Sequence, residues 1–215
     1  FWIGSVMLSS MKGDEVVGWF NAAYRLVFSL SVVPGVYFTA AFPVMSRYFV
    51  TSRDSLKLMS EKSIKYMLIL SIPIALGTTL LAEKIITLIF GSGYENSIFA
   101  LQLLVWAVVF VFLSSGVARL FESLNKQLMV TIVAGACAVI NVALNLVLIP
   151  LFSYKGVAVS TMATEFAALA ILYVFRSKFG YGMSWKKVVN MTGRTLAASA
   201  VMGVAVYLLR DVPLP

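Results

Sequence analysis

From Gln127 to Tyr154 the chain reads QLMVTIVAGACAVINVALNLVLIPLFSY, without one Asp, Glu, Lys or Arg. A hydrocarbon core about 30 Å thick takes about 20 helical residues, with a range of about 17–25. This stretch is long enough to cross a membrane as a helix. It is solidly apolar rather than alternating, which separates it from the strands of a membrane barrel. In lipid each backbone N–H and C=O must be paired within its own segment, so a helix is the expected form.

The pattern recurs on both sides. Leu26 to Ser46, Tyr66 to Ala82 and Asn96 to Ala118 carry no charge. Gly156 to Phe175 carries one, Glu165. Thr195 to Leu209 is uncharged but shorter, and needs flanking residues, a tilt or local thinning of the bilayer. The sequence therefore predicts an all-α, polytopic transmembrane bundle. Its spans are expected near residues 17–47, 64–82, 97–119, 128–149, 156–176 and 193–209, with the end of a truncated helix over 1–11. The chain opens on Phe1-Trp2-Ile3-Gly4 and stops at Val212-Pro213-Leu214-Pro215. Both ends read as cuts in a longer protein.

Charge sets an orientation. The gap from Arg47 to Lys65 holds Arg47, Arg53, Lys57, Lys62 and Lys65, whereas Glu83 to Glu95 holds only Lys84. Arg119 and Lys126 bound the next gap, and Pro150 to Lys155 holds Lys155 alone. Arg176, Lys178, Lys186, Lys187 and Arg194 fill the following gap, and Arg210 stands in the C-terminal stub. Rich and poor gaps alternate. Cytoplasmic loops retain Lys and Arg, so the rich gaps are expected inside. The net charge of +8 is then mostly an orientation signal, with some attraction to anionic lipid. Membrane lipids are expected partners and nucleic acid is not. With 60% hydrophobic and 12% charged residues, the cell membrane is the expected location. Cys137 is the single cysteine and there is no His, so no disulfide framework, metal site or cofactor is expected.

Breakers punctuate the runs. Gly13-Asp14-Glu15 reads as an outer turn, followed by one long helix from Val16 to Tyr48 kinked at Pro34 and Pro43. Pro73 is expected to kink the second helix and Pro150 to end the fourth. The gap after Arg47 reads as a short amphipathic surface helix. Phe90 to Tyr94 is a Gly-rich outer turn, and Gly180 to Lys187 an inner interfacial anchor. Trp19, Phe20, Tyr24, Tyr37 and Phe38 read as mostly lipid-facing or interfacial, with one or two lining a cavity.

Polar groups within the runs are the candidate site. Asn21, Arg25 and Ser29 lie four apart on one stripe. Arg25 is nine residues below the expected outer end, about 13 Å deep at 1.5 Å per residue. It either faces a wet cavity or snorkels to the head groups. Glu165 binds a proton, a cation or Arg25, or else is a protonated acid holding helices together. Asn141 and Asn145 share a face, and Gln102 lies near Trp106; these amides suit sugar hydroxyls or interhelical bonds. No phosphate loop, paired carboxylates or Cys/His cluster is present, so the chain does not read as an enzyme and no catalytic residue is assigned.

An ordered set of stretches carries a resemblance. They are Val17-Gly18-Trp19-Phe20-Asn21-Ala22-Ala23-Tyr24-Arg25-Leu26, Ala41-Phe42-Pro43-Val44-Met45-Ser46-Arg47, and Ile89-Phe90-Gly91-Ser92-Gly93-Tyr94. Ala100 to Leu104, Asn141 to Pro150 and Ser160 to Glu165 follow. Together they resemble the C-terminal part of polysaccharide-biosynthesis flippases of the multidrug/oligosaccharidyl-lipid/polysaccharide exporter superfamily. The resemblance implies one of two bundles around a cationic cavity, moving lipid-linked oligosaccharide to the outer leaflet by alternating access, in a protein that is monomeric at full length. Arg25 would then face the substrate pyrophosphate, with Asn21, Asn141, Asn145 and Gln102 as further substrate contacts and Glu165 as a coupling or ion-pairing acid. The alternatives are a drug or cation antiporter of the same superfamily, which favours acids in the cavity, and a membrane-embedded glycosyltransferase or acyltransferase.

The orientation is testable by thiol labelling in a Cys137→Ser background. Cys at Ser92 should react with an impermeant reagent in intact cells, and Cys at Ser177 only after permeabilisation. The opposite pattern inverts the topology.

Overall fold

The computed structural model describes residues 2–209. Phe1, Arg210 and the closing Val212-Pro213-Leu214-Pro215 lie outside the described residues. Helices joined by short turns make up most of the described chain, in the order α1 (Trp2–Lys12), α2 (Asp14–Ser29), α3 (Val32–Thr51), α4 (Arg53–Phe90), a 3-10 turn at Ser92–Tyr94, α5 (Ser97–Ser123), α6 (Gln127–Phe152), α7 (Tyr154–Lys178) and α8 (Trp185–Leu209). Six spans are long and apolar enough to cross a membrane, with α2 and α3 together forming the first.

That first span differs from the single kinked helix expected. It breaks into a turn at Leu30 and Ser31, and Pro34 falls in the first turn of α3. Proline is tolerated there because first-turn N–H groups have no intrahelical acceptor. Pro43, Pro73 and Pro150 all lie inside continuous helices. The expected surface helix after Arg47 is also replaced. α3 runs on to Thr51, and α4 starts at Arg53 after the extended residue Ser52, whose hydroxyl accepts from Ser55 N–H at 3.3 Å. α4 then continues without a break to Gly91, whose φ of +84° suits glycine and ends the helix.

The centre of the bundle is α5. Half of its most apolar window is buried, against a third or less in the other spans. It packs against α2, α3, α4, α6 and α7. A helix apolar all round fits the middle of a bundle, and Leu104, Val105, Phe112, Leu120 and Phe121 fill that role. The α2–α3 aromatics depart from the lipid-facing reading. Phe20 and Phe38 are 1% exposed and Tyr24 is buried, so they belong to the core. Aliphatics such as Val36, Leu88, Leu128, Val139 and Val201 form the exposed outer surface.

The cation-rich gaps meet at one end. Arg53 Nη2 donates to Phe179 O at 2.9 Å and its guanidinium lies over the Tyr181 ring. Lys126 Nζ is 4.6 Å from the Phe179 ring centroid, and Lys187 pairs with Glu61. The poor gaps meet at the other end. Lys12 Nζ donates to Pro150 O at 3.2 Å, Trp19 Nε1 donates to Gly93 O at 3.3 Å, and Lys155 lies over Phe99. Alternation along the chain has become segregation in space.

The α6–α7 hairpin is tight. Ser153 turns the chain at φ +54°, and Gly156 then passes so close to Leu148 that an added Cβ would collide with the Leu148 backbone carbonyl. Backbone cannot swing aside as a side chain can. Gly156→Ala should therefore cost about 1–3 kcal/mol, the usual range for overpacking, seen as a lower unfolding temperature in detergent. Gly135→Ala, with nothing within 4 Å of its added Cβ, should be neutral in the same measurement.

Candidate functional site

Two polar clusters interrupt the apolar packing. The first is a ladder between α6 and α7. Spacing of four puts Asn141 and Asn145 on one face of α6, and Ser160 and Thr164 on one face of α7. Asn145 Nδ2 donates to Asn141 Oδ1 at 2.9 Å, and Asn141 Nδ2 donates to Thr164 Oγ1 at 3.1 Å. Thr164 Oγ1 donates to the Ser160 carbonyl at 2.6 Å, and Ser160 Oγ donates to Asn145 Oδ1. Asn145 and Ser160 are fully buried. Buried amides of this kind are tolerable only when bonded, and the ladder supplies the bonds.

Beside the ladder is a cavity of about 300 Å³ between α1, α6 and α7, lined by Gly4, Cys137, Asn141, Thr161, Thr164 and Glu165. Glu165 also lines a much smaller space with Tyr24, Ser31 and Thr161. It stands near the middle of α7, where that helix faces α1, α2, α5 and α6.

The second cluster is on α2. Arg25 is exposed and lies eleven residues along the helix, about 17 Å from its start at 1.5 Å per residue. It lines an open cavity of about 310 Å³ with Asp14, Gly18, Asn21, Phe90 and Tyr94. Asn21 is half-buried, and its Oδ1 accepts from Ser5 Oγ at 2.8 Å, tying α1 to α2. Among the described residues the ion pairs are Arg119–Glu122 and Lys187–Glu61, so none joins Arg25 to Glu165. The two line different cavities.

The expected site residues thus divide. Asn21 and Arg25 fall together, as do Asn141, Asn145 and Glu165. Gln102 joins neither group; its Nε2 donates to Thr79 O at 3.3 Å and ties α5 to α4. Sequence reading missed Ser5, Ser160 and Thr164 as partners of the amides, although hydroxyl residues four apart were a visible signal. It also counted Arg176 as a loop cation. Arg176 is fully buried on α7, with Nη2 donating to Ser60 Oγ at 3.4 Å, and Nε and Nη1 have no hydrogen-bond partner among the described residues. No group of three or more His, Cys, Asp or Glu that could hold a metal ion occurs among the described residues.

The family model described as lipid II flippase MurJ matches residues 5–214. The chain belongs to the MurJ lipid II flippase family. A MurJ relative, the lipid II flippase MurJ of Bacillus subtilis, is 27% identical over 154 residues, covering 70% of this chain and 28% of that protein. A probable low-salt glycan biosynthesis flippase of Haloferax volcanii is 24% identical over 172 residues, covering 80% of this chain and 35% of that protein. The chain therefore spans about a third of the length of these curated relatives. In fold it matches a solved lipid II flippase MurJ in an inward closed conformation, with a TM-score of 0.79 and 16% identity over 99% of this chain and 46% of that one. Membership in the MurJ family agrees with the exporter resemblance drawn from the quoted stretches, and with a multi-pass cell-membrane protein.

In this MurJ-family chain the ladder ties α6 to α7 through side-chain hydrogen bonds. Interhelical hydrogen bonds in membranes average about 0.6 kcal/mol, up to about 1.7. Asn145→Ala removes the bond to Asn141 and the one from Ser160. It should lower the unfolding temperature in detergent more than Gln102→Ala, which removes a single long bond. An equal or smaller shift for Asn145→Ala would remove the ladder's structural role.

Proposed function

We propose that this chain forms one bundle of a transporter that moves a lipid-linked oligosaccharide from the inner to the outer leaflet by alternating access. The observation that carries the reading is Arg25. It is an exposed guanidinium eleven residues into the first span and one turn before α2 ends, in an open cavity, beside an amide and outside every ion pair among the described residues. A cation held in this way is costly in a membrane unless it has a wet cavity or an anion to face.

A lipid-linked sugar offers a pyrophosphate and many hydroxyls. The guanidinium fork matches phosphate oxygens bidentately, and Asn21 presents its amide one turn away. The polyprenyl tail stays in lipid. The break at Leu30–Ser31 lies five residues beyond Arg25 and divides the helix that carries it. Discontinuous helices of this kind typically form the substrate sites of alternating-access transporters. The names of the family and of both curated relatives, which speak of lipid II and glycan, support this substrate class. In this reading the cation-rich end faces the cytoplasm and the full-length protein works as a monomer.

Glu165 supports a second role within the same transporter. It is a carboxyl at mid-helix between two spaces, placed to bind and release a proton or cation as the bundle moves. An antiporter of drugs or cations would rely on this acid and not on Arg25, so the two residues separate the readings.

In the full-length protein at matched expression, Arg25→Ala should cut export of lipid-linked oligosaccharide by about ten- to a hundred-fold, the equivalent of about 1.5–3 kcal/mol for a charged hydrogen bond. Arg25→Lys should keep part of it, and Arg25→Glu should be worse than Ala. Normal export by Arg25→Ala would remove the substrate-cation role, whereas no export by the unaltered protein, with cation movement lost in Glu165→Gln, would favour the antiporter.

A further inference from the structure

A groove of about 350 Å³ lies between α4 and α8 and shares no lining residue with the cavities at Arg25 and at the amide ladder. Its α4 wall carries Lys65, Ile69 and Pro73; its α8 wall carries Asn190, Arg194, Ser199 and Met202. Both walls run from polar to apolar in the same direction. Lys65 to Pro73 and Arg194 to Met202 are each eight residues, about 12 Å at 1.5 Å per residue. The helices close together beyond the groove, where a Cβ on Gly203 would lie 2.9 Å from Leu76 Cδ2. The groove is thus cationic at one end and apolar towards its closed end.

The charge is uncompensated among the described residues. Lys65 and Arg194 are exposed and take part in neither ion pair among the described residues. The groove's lining contains no acid. Glu61, one turn from Lys65 on α4, is held by Lys187. Deeper in, Ser199 is 2% exposed and its Oγ has no hydrogen-bond partner among the described residues. A buried hydroxyl left without a partner is costly. It lies five residues, about 7 Å, inward of Arg194.

We propose that this groove binds an anionic glycerophospholipid of the leaflet at the cation-rich end. Lys65 and Arg194 take the phosphate from two sides, with Asn190 donating beside them. The Ser199 hydroxyl donates to a glycerol ester carbonyl, which in such a lipid lies just inward of the phosphate. One acyl chain follows Ile69, Pro73 and Met202. Each part of the groove thereby meets its chemical complement in the order that the lipid presents them, and the bound lipid joins α8 to α4. A zwitterionic lipid places its own cation near the phosphate and gains less from the two basic residues.

The test uses the purified full-length protein, phosphatidylglycerol and phosphatidylcholine, with retention read by native mass spectrometry. The unaltered protein should hold one phosphatidylglycerol in preference to phosphatidylcholine. The double variant Lys65→Gln with Arg194→Gln should weaken phosphatidylglycerol by about thirty-fold, as expected for two membrane-surface cations, and leave phosphatidylcholine unchanged. Lys65→Arg with Arg194→Lys should keep the preference, and Ala198→Trp, which fills the groove without touching its charge, should abolish retention. These two variants keep the test decisive if the Gln pair folds poorly. Equal retention of the two lipids by the unaltered protein, or no loss in Ala198→Trp, overturns the proposal. Displacement of phosphatidylglycerol by an equimolar polyprenyl pyrophosphate overturns it too, and assigns the groove to the transported lipid.

Discussion

No water reaches the hydrocarbon core, so every backbone N–H and C=O there must be bonded within its own helix. The rest of the molecule depends on that constraint. It forces the apolar runs into helices and confines turns to the two ends, the break at Leu30–Ser31 within the first span excepted. It also makes every buried polar side chain a small structural problem. Asn141, Asn145, Ser160 and Thr164 solve it among themselves. Asn21 solves it with Ser5, and Gln102 with a backbone carbonyl. Arg25 is exposed in an open cavity and outside the ion pairs among the described residues, and the proposed function rests on that contrast.

The spans were legible because length and hydropathy are properties of single segments. The segregation of charge was legible because chain order alternates between ends in any up-and-down bundle. The break at Leu30–Ser31 was legible only in part. Pro34 announced a disturbance, but a proline can kink a helix or start one, and neighbouring packing decides which. The burial of Phe20 and Phe38 was not legible, since an aromatic is equally at home against lipid or protein in a segment that is apolar all round.

The candidate site's residues were marked by their type, and their grouping was marked only within single helices. Spacing of four put Asn21 with Arg25 and Asn141 with Asn145, and those pairs hold. Which helices face each other is a tertiary fact, so the separation of Arg25 from Glu165 could not be read from the chain. Arg176 shows the same limit. Its place at a helix end suggested solvent, yet it is fully buried and donates to Ser60 on α4.

The length of α4 has a mechanical consequence. Its 38 residues make a rod of about 57 Å at 1.5 Å per residue, nearly twice a hydrocarbon core of about 30 Å. Such a rod acts as a lever with its fulcrum inside the membrane. A tilt of about 10° about its midpoint moves each tip by about 5 Å, close to one helical pitch of 5.4 Å. Rearrangements among side chains too small to notice at the midplane are thereby magnified at the surface, where Ser60 and Glu61 grip α7 and α8.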